Sequence, residues 1–352
     1  MTSKTFVRTA GLLAGLALTL SLSFPSTHFA AQQGAAAPGQ QAGPPGGRGA
    51  IDPRVQQRTY KFTDTNEDLP YALFVSSKVS KDKKSPLIVS LHGLGGSQNT
   101  MMTRNALQFA EEGGYIYVGP MGYNSSGWFG TPSTMAGAGG FGARGGPGGA
   151  GRGAGPGAAV PGAAGPGTAG PGGPGPGAAA PGGPGPGAGR GAGGGARGGS
   201  TVLGTPNATS QMSEKDVMNV LDIMRKEFNV DENRIYIMGH SMGGAGAMYL
   251  GVKYASIWAG IGAMAPATAP AGINPNNYPL DPAKGVPFVI VQGDQDTLVP
   301  VAGARLWIDK MKELNITHQY VEVPGGDHGS VLTTGMADIF GFFAKHSKTA
   351  NR

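Results

Sequence analysis

The 352-residue chain contains no cysteine, which excludes disulfides, thiolate metal sites and a lipid attached through a cysteine. Export stays compatible with that, because a domain of this size is stable without covalent staples. Extended apolar runs are scarce too: Gly11 to Phe24 (GLLAGLALTLSLSF) is too short to span a bilayer comfortably. No HExxH motif points to a metal, no GxGxxG opens a helix after a strand, and no basic stripe with interleaved aromatics points to nucleic acid. Neither a metal, a cofactor nor a nucleic-acid partner is therefore expected. The net charge of +6 is located by its residues: Lys4, Arg8, Arg48, Arg144, Arg152, Arg190 and Arg197 lie in segments of biased composition, and the remainder of the chain is near neutral.

Glycine and proline, by contrast, are abundant, at 65 and 28 residues. Residues 1–30 read as a secretory signal, with Lys4 and Arg8 ahead of the apolar stretch and a cut near His28-Phe29-Ala30-Ala31; an uncleaved membrane anchor is the competing reading. Residues 31–50 read as a Gly/Pro/Gln linker. Residues 131–200 read as a low-complexity insertion in which Pro-Gly recurs every five residues from Pro156 to Pro186. Five is not the three that a collagen helix requires, so the pattern is elastin-like, and with so few large apolar side chains it is expected to stay disordered. Residues 51–130 and 201–348 then form one catalytic domain. The expected location is periplasmic or secreted, with no stable span after processing.

Within that domain, Arg234 to Met238 (RIYIM) reads as a buried strand running into Gly239-His240-Ser241-Met242-Gly243. A serine on a strand-to-helix turn, flanked by residues small enough to let strand and helix approach, is a nucleophile elbow. Upstream, Ser213-Glu214-Lys215-Asp216 reads as a capping box, and Val217, Val220, Leu221, Met224 and Phe228 recur at helical spacing, with a turn at Asp231-Glu232-Asn233. Helix, strand, elbow, helix is the order such a site requires.

A nucleophilic serine needs a base and the base an orienting acid, here in the order Ser, Asp/Glu, His. Val286 to Gln292 (VPFVIVQ) reads as a strand ending in Gly293-Asp294-Gln295-Asp296. A helical pattern through Leu306, Trp307, Met311 and Leu314 and a strand from His318 to Val323 follow, ending in Pro324-Gly325-Gly326-Asp327-His328-Gly329. Among the histidines beyond the acidic loop, His328 is the preferred base, while His318 and His346 read as surface residues. Asp296, deeper in its loop, is preferred as the acid over Asp294, read as a turn residue, and over Asp327, read as a solvated carboxylate. Leu87 to Leu91 (LIVSL) is another buried strand, followed by His92-Gly93-Leu94-Gly95-Gly96-Ser97. The amides of Met242 and Leu94 are the candidates for an oxyanion hole, with His92 and His240 structural.

These motifs (LHGLGGS, DENRIYIMGHSMGGAGAMYL, QGDQDTLVP and PGGDHG) resemble those of α/β-hydrolase serine hydrolases, in particular stand-alone prolyl oligopeptidase-like catalytic domains and esterases of the esterase D and polyhydroxybutyrate depolymerase type. The resemblance implies an α/β fold with a mostly parallel sheet of about eight strands and helices on both faces. It also maps the acid, the last residue of G-x-x-D, onto Asp296 and the base onto His328. It leaves no room for the propeller of true prolyl oligopeptidases. The expected activity is hydrolysis of ester-bearing small-molecule or polymeric substrates through an acyl-enzyme on Ser241. A serine peptidase with the same residues, and a non-catalytic matrix-binding scaffold, are the alternatives.

Overall fold

Strand β3 (Ser85–Leu91) is buried along its whole length, as its unbroken apolar run requires when both faces of a parallel sheet are covered. In the computed structural model, which describes residues 51–137 and 202–348, it lies inside an eight-stranded sheet. The expected leader, the linker, residues 138–200 of the expected insertion and residue 201 lie outside the described residues. The other strands are β1 (Gln56–Phe62), β2 (Glu67–Val75), β4 (Ile116–Pro120), β5 (Val230–His240), β6 (Gly260–Met264), β7 (Phe288–Gly293) and β8 (His318–Val323), in the spatial order β1-β2-β4-β3-β5-β6-β7-β8. The β1/β2 and β2/β4 pairs are antiparallel and all others parallel.

Alternation along the strands sorts the core into two layers. Leu87, Val89, Ile235, Ile237, Phe288 and Ile290 pack with α2 (Ala208–Glu227), α3 (Met242–Lys253) and α4 (Val301–Glu313). Ile88, Tyr236, Met238, Val289 and Val291 face α1 (Arg104–Gly113), α5 (Ser330–Thr334) and α6 (Met336–Phe343) on the other side. The expected architecture of a mostly parallel sheet with helices on both faces is the one observed.

Strand register places the loops that matter. Leu91 pairs with Gly239, so the carboxyl ends of β3 and β5 are neighbours, and Gly293 pairs with Val323, so those of β7 and β8 are too. His92–Ser97, the elbow, the 294–300 loop and the 324–329 loop thus share one edge of the sheet, where open α/β sheets bind ligands.

Several local expectations differ from what is observed. Helix α2 begins five residues before Ser213, with Asn207 accepting from the Ser210 amide as its N-cap. Ser213, Glu214 and Asp216 are buried inside the helix, so they form no capping box. Their side chains serve distant partners instead: Ser213 Oγ accepts from Phe129 N (3.1 Å), Asp216 accepts from Gly122 N (2.6 Å) and Tyr60 Oη (2.5 Å), and Glu214 accepts from Lys253 and Tyr254 at the end of α3. Ser210 Oγ donates to the Thr131 carbonyl (2.6 Å). Residues 131–137, expected at the head of the insertion, belong to this packed segment, with Thr131 and Ser133 buried. Asp231–Asn233 form no turn outside a strand; they fall within β5, where the register to β3 shifts between Val230 and Ile235. Leu306, placed in the apolar pattern of α4, is exposed, while Trp307 and Met311 carry the buried face.

Candidate active site

The elbow is built by steric exclusion. Ser241 has φ 57° and ψ −117°, a strained conformation for a residue with a side chain, and it projects between β5 and α3. Its flanking glycines have no alternative. A Cβ on Gly239 would lie 2.1 Å from the Gly243 carbonyl oxygen, and one on Gly243 would lie 2.1 Å from that of Leu91.

Three side chains from three loops meet here. His328 Nε2 lies 2.9 Å from Ser241 Oγ, and His328 Nδ1 lies 2.8 Å from Asp296 Oδ2. Asp296 is fully held: Oδ1 accepts from the amides of Leu298 (2.9 Å) and Val299 (2.8 Å), and Oδ2 also accepts from Gln292 Nε2 (3.2 Å). A carboxylate fixed this way holds the imidazole with Nδ1 protonated and Nε2 free to accept a proton from the serine. Asp294 Oδ1 is engaged elsewhere, accepting from Gly325 N at 2.7 Å and so pinning the histidine loop to the acid loop. Asp327 accepts from the amides of Gly329 (3.0 Å) and Ser330 (2.7 Å) on the exposed side of the loop. His318 and His346 are remote from the serine, with Nδ1 against the carbonyls of Ile316 and Phe342.

The loop after β3 lies beside the nucleophile: a Cβ on Gly93 would sit 3.4 Å from that of Ser241. Gly95 N donates to the Ser125 carbonyl (2.8 Å), and buried His92 places Nε2 2.8 Å from the Met121 carbonyl, so the loop leans on the segment after β4. Burial pushes the His92 pKa down. Neither the Leu94 nor the Met242 amide donates a hydrogen bond within the described residues.

Two side chains at this site carry no sequence signal for the contacts they make. Gln292, the penultimate residue of β7, is buried and spans Asp296 and the Val299 carbonyl (2.9 Å). His240, in the variable position of the elbow, is buried with Nε2 2.8 Å from the main-chain oxygen of His328. A polar residue at the carboxyl end of a buried strand is the only hint at Gln292, and nothing local identifies the partner of His240.

The phospholipase/carboxylesterase family matches residues 205–347 of the chain. Among solved structures, a thermostable esterase superposes with a TM-score of 0.53 at 20% identity, covering 84% of this chain and 64% of the esterase. An S-formylglutathione hydrolase from Agrobacterium tumefaciens gives 0.53 at 16% identity, covering 83% and 94%. One from Staphylococcus aureus gives 0.50 at 14%, covering 82% and 98%. No match is found among curated protein sequences. At these identities the superpositions speak for the fold alone, and the fold is that of the α/β hydrolases.

Proposed function

We propose that the protein is an exported carboxylic ester hydrolase that works through an acyl-enzyme on Ser241. The observation that carries this reading is the unbroken run of hydrogen bonds from Ser241 through His328 to Asp296, set at a strained elbow. Ser241 Oγ attacks the ester carbonyl carbon as His328 Nε2 takes its proton, and the alcohol leaves with that proton as the tetrahedral intermediate collapses. Water then attacks the acyl-serine by the same route, releasing the acid and restoring the hydroxyl. Asp296 keeps the imidazole oriented and offsets its charge. The amides of Met242 and Leu94 receive the oxyanion, and in measured cases one such donor contributes about 2.7 to 4 kcal/mol to the transition state.

The preference for esters over amides rests on the family match at residues 205–347. Export rests on the charged and apolar N-terminal pattern, and no helix among the described residues is long and apolar enough to cross a membrane. The test is covalent labelling by a fluorophosphonate probe, which is expected to modify wild type and to fail with Ser241→Ala. A folded wild-type protein that stays unlabelled overturns the reading. A panel of p-nitrophenyl, acetyl and feruloyl esters against aminoacyl anilides then separates esterase from peptidase: faster turnover of anilides selects the peptidase.

A further inference from the structure

The loop that carries His328 is closed locally, with Asp327 accepting from the Gly329 and Ser330 amides across it, but those bonds tie the loop only to itself. Pro324 to Gly329 contains three glycines, one of them, Gly325, at φ 69°. The loop is tied down at its start, where Gly325 N donates to Asp294 and Gln295 N donates to the Gly326 carbonyl (3.0 Å). Those ties stop two residues short of His328. Among the described residues, the one hydrogen bond to the His328 main chain comes from His240, whose Nε2–H donates to the carbonyl oxygen at 2.8 Å. The two rings also lie against each other, with centroids 4.8 Å apart.

His240 is suited to anchor a loop. It ends β5, is paired there with Met264, and directly precedes Ser241, so its backbone is set by the same rigid strand end as the nucleophile. We propose that His240 is a positioning residue for the reaction: by holding the His328 carbonyl it fixes the distance between the base and Ser241 Oγ. This inference rests on the ester hydrolase reading above. The ring serves as a neutral donor, since burial pushes its pKa down to about 4, with the His328 carbonyl opposing that and His328 charge adding to it. Its Nδ1 edge lies over Gly93, where a Cβ would be 3.4 Å away, so the same ring touches the loop that carries Leu94. A neutral ring there neither competes for the serine proton nor repels the imidazolium that forms on His328.

The test compares His240→Gln, His240→Asn and His240→Phe in the full chain. Glutamine carries an N–H to about the reach of Nε2, asparagine carries the same amide one bond shorter, and phenylalanine keeps the ring without the donor. With p-nitrophenyl acetate, the Asn and Phe variants are expected to lose about 10- to 100-fold in kcat with KM within about twofold, the scale of a small misplacement of a catalytic group. The Gln variant should stay within about threefold of wild type, and fluorophosphonate inactivation rates should follow the same order. If the Phe variant does not fold, the Gln/Asn pair decides. Wild-type kcat in a folded Asn or Phe variant overturns the proposal, as does a Gln variant no better than Asn, which would leave only packing. An unlabelled wild type would instead overturn the ester hydrolase reading itself.

Discussion

Replacing Asp296 by asparagine changes one atom, and the surrounding donors dictate where the new amino group goes. Oδ1 accepts two main-chain N–H groups, from Leu298 and Val299, while Oδ2 faces His328 Nδ1 and Gln292 Nε2. Directing the NH2 toward the two amides would strand buried donors at about 1–3 kcal/mol each. The amide oxygen therefore takes the Oδ1 place and the NH2 points at His328. To accept from it, the imidazole must deprotonate Nδ1, which puts the remaining proton on Nε2, facing Ser241. A base that already holds its proton cannot take another. The expected loss in kcat is about 10,000-fold, the size of the same change in a serine protease, where the wrong tautomer is the cause. Asp294→Asn is the internal control, because its carboxylate accepts from Gly325 N and makes no hydrogen bond to His328. The assay is p-nitrophenyl acetate turnover with a thermal melt of each variant. Full activity in a folded Asp296→Asn, or the large loss in Asp294→Asn instead, refutes the argument.

Other perturbations test the scaffold. Gly243→Ala would force a Cβ to within 2.1 Å of the Leu91 carbonyl, so its melting temperature should fall by several degrees at the usual overpacking cost of about 1–3 kcal/mol. Gly341→Ala, in α6 with nothing within 4 Å, should instead raise it through a helix-propensity gain of about 0.5–1 kcal/mol. A melt in which both variants match wild type would dismiss the steric argument. Burial raises the Asp216 carboxyl to about 6, with Tyr60 and the Tyr123 and Gly122 amides opposing. Because the folded state then holds that proton to higher pH than the unfolded chain, stability contributed by this group falls between about pH 4 and 6, by about 3 kcal/mol. Denaturant titrations of wild type and Asp216→Asn should diverge across that window, and parallel curves would refute the assignment.

What could be read from the chain is what local order encodes. The turn at Ser241 is specified by the two glycines within two residues of it, and the loops with Asp296 and His328 follow strands whose apolar runs are self-evident. Once those strands pair in parallel, neighbouring carboxyl ends bring the three side chains together without further instruction. Loop depth also separated Asp296 from Asp294, because a residue further along can fold back under the loop and collect its amides, as Asp296 does from Leu298 and Val299.

What could not be read depends on partners far along the chain. Ser213, Glu214 and Asp216 look like a helix start because short polar residues ahead of an apolar run usually meet solvent or the helix's own amides. Here Glu214 meets Lys253 and Tyr254 of the α3 end, and Ser213 and Asp216 meet the segment after β4, some 85 to 95 residues earlier, whose main chain needs acceptors: Gly122, Tyr123, Trp128, Phe129 and Gly130 all have positive φ, and that backbone makes no regular ladder. The helix must begin a turn and a half sooner so that this polar face can reach them. His240 follows the same logic. Its place in the elbow marks it only as the variable residue, and its partner is a carbonyl 88 residues away, in the loop after β8. Strand order brings Ser241, Asp296 and His328 to one edge of the sheet, while long-range bonds from α2 hold the segment after β4 and one from His240 reaches the His328 loop, so the sequence announces the three side chains more clearly than the supports around them.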